Sequence, residues 1–103
     1  MSYDITIKEI REVEVYENNY TYNVSPMFRE ALGGNGINHL DGKTCLDAIG
    51  HLEIAVNKMK AEPDKYKAMN PKNNWGDYKG ALKVLEDLLA SCKESVDGTI
   101  YIS

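Results

Sequence analysis

A chain of 103 residues is expected to form one domain, 1–103, and its apolar fraction of 43% suffices for a single core. A formal charge of −4, with sixteen acids and twelve bases scattered along the chain, excludes the concentrated positive field that a nucleic-acid polymer requires. No run approaches the ~18 apolar residues of a membrane span, and MSYDITIKEI alternates where a signal peptide would be basic and then apolar, so the expected location is cytoplasmic, with no membrane partner.

Tyr3, Ile5 and Ile7 fall on one face of a first strand, and Val13 and Val15 continue the period-two pattern. The β-branched stretch Ile10 to Tyr16 predicts a second strand, continuous with the first or bent near Glu9. Glu17-Asn18-Asn19 predicts a turn, and Tyr20 to Val24 a third strand, completing a meander. Ser25-Pro26 then starts a short helix, Pro26 to Ala31, with the serine as cap and proline in the first turn. Gly33-Gly34-Asn35-Gly36 ends it as a flexible loop or lid, or as a plain connector.

Asp41 is the expected cap of a second helix, with Gly42 as its turn and Leu46, Ile49, Leu52, Val56 and Met59 as its apolar stripe. That helix stops before Pro63, and Pro63 to Met69 predicts one further turn with Tyr66 and Met69 packed back on the core. A third helix runs from Trp75 to Lys93, capped by Asn73 or Asn74, with Tyr78, Leu82, Leu85, Leu89 and Cys92 inward. Asp97-Gly98 turns the chain into a last strand, Thr99 to Ser103.

The sum is an α+β fold: an antiparallel sheet of the N-terminal strands plus the C-terminal strand, with two main helices and one short helix packed on it. Such a sheet leaves its far face and an edge bearing Tyr101 to be covered, so a homo-oligomer is expected.

Little in the sequence points to catalysis. There is no Gly-x-Ser-x-Gly elbow and no His-Glu-x-x-His helix. Asp41-Gly42-Lys43-Thr44 ends like a phosphate loop, but Ile37 stands where the loop's first glycine belongs. His39 and His51 lack helical ligand spacing and a nearby cysteine pair, and Cys45 and Cys92 fit the apolar stripes of helices as buried free thiols. No catalytic residue, metal site or cofactor is expected, and the chain reads as a non-enzyme.

Two segments rich in asparagine and aromatics remain, NNYTYNVSPM and NPKNNWGDY, each just before a helix whose first N–H groups are unpaired. Their candidate ligand-binding residues are Tyr20, Thr21, Asn23, Met27, Arg29, Lys72, Asn73, Trp75 and Tyr78. Trp75 with Tyr20 or Tyr78 offers stacking faces, Asn23 and Asn73 offer amides to a nucleobase or ribose, and Arg29 and Lys72 offer charge to a phosphate. The structural alternative is that the asparagines are caps and turns and the tryptophan is core.

These motifs, NYTYNVSPM and NPKNNWGDYKGAL followed by LLASCKE and a short terminal strand, resemble a family of small proteins encoded by bacteriophages and prophages, over roughly Val13 to Ser103. The resemblance implies an accessory phage protein acting in the host bacterial cytoplasm. In size and polar-aromatic chemistry the chain is also similar to phage sponges that sequester cyclic or ADP-ribose-derived immune signals. The resulting expectation is a non-catalytic protein that binds a small nucleotide-type ligand; an inhibitor or adaptor of a host protein is the alternative.

Overall fold

The N-terminal alternation forms an antiparallel pair. In the computed structural model β1 (Ser2–Lys8) runs beside β2 (Glu14–Thr21), with Tyr3 opposite Tyr20 and Ile7 opposite Tyr16. The structure describes residues 2–9 and 14–103, and of residues 14, 15 and 22 the backbone alone. Residues 10–13, the first part of the expected strand from Ile10 to Tyr16, lie outside the described residues.

The predicted turn at Glu17-Asn18-Asn19 does not form; β2 passes straight through it. Pairing with Thr6, Ile5 and Asp4 overrides the local turn preference, and the Asn19 carboxamide donates to the Asp4 carboxylate at 2.7 Å. The predicted strand from Tyr20 to Val24 is likewise corrected. It ends at Thr21 and tightens into a 3-10 turn, Tyr22–Val24.

β3 (Thr99–Ile102) pairs with the other side of β1, giving the order β2-β1-β3. The register sets Ile102 against Ile5 and Ile100 against Ile7, so the inner face of β1 and β3 is buried and apolar. Asp4, Thr6, Lys8, Glu17, Asn19 and Tyr101 occupy the opposite face, where the Lys8 ammonium lies 5.3 Å from the Tyr101 ring centre. That face is polar enough to meet water.

The outer edge of β3 is closed by the chain itself. Gly42 donates to the Ile100 carbonyl at 2.8 Å, Ile100 to the Lys43 carbonyl at 2.9 Å, and Ile102 to the Asp41 carboxylate at 3.0 Å. The far face and this edge therefore supply no argument for a second copy.

α1 (Ser25–Leu32) carries Pro26 in its first turn, as expected, and buries Met27, Phe28 and Ala31. Ser25 is not its cap: Val24 holds that position, and the serine hydroxyl pairs with that of Tyr3. Behind α1, Gly33, Gly34 and Gly36 all take positive φ, and the chain folds into a 3-10 helix, Gly36–Leu40, whose Ile37 and Leu40 are fully buried. The glycine-rich stretch is an anchored connector, because two large side chains hold its far end in the core.

α2 (Cys45–Ala61) begins later than predicted. Thr44, not Asp41, is its cap and accepts from the Asp47 amide at 3.2 Å. Thr44→Ala should lower stability by about 1 kcal/mol in urea unfolding, the usual cost of a lost cap. The helix buries Cys45, Ala48, Leu52, Ala55, Val56 and Met59, while Leu46 is 67% exposed and Ile49 only half-buried. The inner stripe is thus rotated toward the small residues Ala48 and Ala55.

Pro63 ends that run and starts α3 (Pro63–Lys67), with Tyr66 buried and Met69 packed against the core as expected. α4 (Tyr78–Glu94) starts three residues after Trp75, because Asp77 is the cap and its carboxylate accepts from the Gly80 amide at 2.7 Å. Tyr78, Leu85 and Cys92 face inward with Ala81, Val84 and Leu88, and Leu82 and Leu89 are half-buried. Helices cover the apolar face of a three-stranded antiparallel sheet, and the fold is α+β.

Candidate functional site

The two asparagine-aromatic segments, some fifty positions apart, meet. The Asn73 carboxamide donates to Asn23 Oδ1 at 3.3 Å, and the Asn23 carboxamide donates to Thr21 Oγ1 at 2.8 Å. Asn73 Oδ1 in turn accepts from the Trp75 amide at 3.0 Å, and the Asp77 amide donates to the Tyr20 hydroxyl at 3.2 Å. A relay of polar groups therefore fixes the 70–78 loop onto the end of β2. Asn70 closes the foot of that loop by accepting from the Tyr78 amide at 2.8 Å.

The joint is filled. Gly76 has φ of 90°, and a Cβ there would stand 2.6 Å from Thr21 Cγ2 and 2.9 Å from Val24 Cγ1. A Cβ on Gly80 would fall on the Tyr20 hydroxyl, so both glycines exist to admit side chains from the other segment. Thr21, Asn23 and Asn73 spend their polar groups on each other, Met27 is fully buried, and Tyr78 is 9% exposed with its hydroxyl given to the Met59 carbonyl at 2.7 Å.

What remains for a ligand is at the apex and foot of the loop. Trp75 is 64% exposed, against the core alternative, and its backbone is fixed by Asn73. Beside the foot, Lys67, Asn70, Asp77, Tyr78 and Lys79 line a cleft of about 340 Å³. The Lys67 ammonium lies 5.7 Å from the Tyr78 ring centre, and Asp77, the one acid among the described residues that line the cleft, is engaged as the α4 cap. Lys72 is exposed on the same loop.

Sequence reasoning missed Lys67, Lys79 and the cap role of Asp77; the cap could have been found from an aspartate directly before the apolar period of α4. Arg29 is elsewhere. It lines a second cleft, of about 380 Å³, with Tyr3, Ser25, Asn35 and Asn38, none of which touches the first.

His39 and His51, unrelated by helical spacing, are brought together with ring centres 5.5 Å apart at 85°. Among the described residues no group of three His, Cys, Asp or Glu is placed to hold a metal ion. Cys45 and Cys92 are buried free thiols in hydrogen-bond contact, and burial pushes both above the ordinary thiol range, which disfavours the nucleophilic thiolate. No helix among the described residues is long and apolar enough to cross a membrane. The chain matches no protein-family model, no curated protein and no solved structure.

Proposed function

We propose that the chain is a non-catalytic binding protein that captures a small nucleotide-type ligand on the 70–78 loop. Trp75 stacks on the base, and Lys67, Lys79 and Lys72 meet the phosphate. The observation that supports this reading is an exposed indole on a loop with a fixed backbone, whose residues Asn70, Asp77 and Tyr78 line a cleft with two lysines, in a chain whose net charge is −4. A role as a phage-encoded sponge for cyclic or ADP-ribose-derived immune signals in the host cytoplasm is the form of this function that the sequence resemblance favours.

Calorimetry and thermal shift against cyclic dinucleotides and ADP-ribose-derived nucleotides test the proposal, since a ligand that binds only the native state raises Tm. Trp75→Ala should weaken binding roughly five- to a hundred-and-fiftyfold, the worth of about 1–3 kcal/mol of base stacking, while leaving the unliganded Tm unchanged.

A second reading has its own support. Asn23 and Asn73 are paired with each other and nothing encloses Trp75, a geometry that also suits an exposed hot spot for a host protein. Absence of any nucleotide-induced shift, with a host protein retained on the wild type and lost on Trp75→Ala, would decide for an inhibitor or adaptor.

A further inference from the structure

The cleft around Arg29 is built from three separate parts of the chain. Tyr3 comes from β1; Ser25 and Arg29 stand one turn apart on α1; Asn35 and Asn38 come from the glycine turn and the 3-10 helix behind it. Local backbone chemistry sets this arrangement. Gly33 returns its amide to the Arg29 carbonyl at 2.8 Å, and Gly36, at φ of 70°, lies so close to α1 that a Cβ would stand 3.2 Å from the Arg29 nitrogen. With Ile37 and Leu40 locked in the core, the segment that carries the two asparagines is anchored, and both line one cleft with Arg29.

The electrostatics of the cleft run against the rest of the molecule. Sixteen acids give the chain its negative charge, yet no carboxylate of the described residues lines this cleft. Glu30, the neighbour of Arg29 in sequence, is drawn to Lys65 at 2.6 Å. Lys60, Lys65, Lys83 and Lys93 all have carboxylate partners, whereas Arg29 makes no ion pair among the described residues. Arg29 and two asparagines thus line a hollow of about 380 Å³, within the size range of small-molecule sites, together with Tyr3 and Ser25, whose hydroxyls are paired with each other.

We infer that this cleft is a binding site for a small organic oxyanion, its carboxylate or phosphate group held by Arg29 and its body contacted by Asn35 and Asn38. The planar fork presents two parallel N–H groups that match either oxyanion, and carboxamides complete the shell by donating to oxygen without adding charge. The site shares no residue with the Trp75 loop and does not rest on the function proposed for that loop.

The test is an NMR titration of the native chain, following the Arg29 Nε–H and the side-chain amides of Asn35 and Asn38, with inorganic phosphate, glycerol 3-phosphate and succinate, against sodium chloride at matched ionic strength. Saturable shifts are expected with glycerol 3-phosphate or succinate, and whichever saturates at the lower concentration identifies the oxyanion. Affinity should fall at least tenfold in Arg29→Lys, which keeps the charge and loses the fork, and vanish in Arg29→Gln. Trp75→Ala should leave the titration unchanged. Shifts that rise without saturation and equally with chloride would overturn the inference, as would saturable binding that persists in Arg29→Gln.

Discussion

Gly76→Ala should destabilise the fold by about 2–4 kcal/mol, from about 1–2 for a left-handed backbone and the remainder for overpacking. Both parts have a structural source. Gly76 sits at φ of 90°, and the added methyl would meet Thr21 Cγ2 at 2.6 Å and the fully buried Val24 at 2.9 Å. Two companion variants separate the parts in urea unfolding. Gly42→Ala, at φ of 82° with open space around the Cβ, should show the backbone part alone. Adding Thr21→Ser to Gly76→Ala removes Cγ2 while keeping the hydroxyl that Asn23 uses, and should restore some of the loss. If Gly76→Ala unfolds at the same urea concentration as Gly42→Ala, the two segments are not in tight contact.

Tyr78→Phe should cost about 1–3 kcal/mol, the penalty for a buried polar group left without its partner. The reason lies in another helix. In α2 the Met59 carbonyl would ordinarily accept from the amide four residues on, but that residue is Pro63, which has no N–H. The Tyr78 hydroxyl supplies the missing donor at 2.7 Å, so α4 repairs the end of α2. The phenylalanine ring keeps the apolar contacts, including those with Tyr66, whose ring centre is 6.4 Å away. An unchanged urea midpoint in Tyr78→Phe would mean that the carbonyl finds another donor.

Much of this fold could be read from hydrophobic period. The α+β class, the inward Ile5, Ile7, Ile100 and Ile102, and the stop at Pro63 follow from spacing and proline chemistry, which act locally. Local signals failed where several residues offered the same chemistry. Between Asn70 and Asp77 three asparagines and one aspartate all suit a helix start, and contacts with Tyr20 and Asn23 in β2 and its turn decide that Asp77 takes the role. Glu17-Asn18-Asn19 has turn composition, but cross-strand partners in β1 outweigh it.

The convergence of the two asparagine-aromatic segments was legible from their shared chemistry, whereas its outcome was not. Asn23 and Asn73 turned out to satisfy one another, which no inspection of either segment alone reveals. The sequence groups Arg29 with Trp75 because both precede or open a helix, yet left-handed glycines bring Asn35 and Asn38 to one cleft with Arg29 instead. A turn that reverses the chain changes neighbours without changing any local propensity.

The central position of β1 has an entropic corollary. Joining residues 5–8 to residues 99–102 requires nearly the full contour of the polypeptide to close into a ring, whereas the neighbouring strand and the packed helices are reached across much shorter spans. Ring-closure entropy grows with span, so of the two pairings that hold β1 the one with β3 carries the larger closure cost and adds most to the non-local character of the sheet.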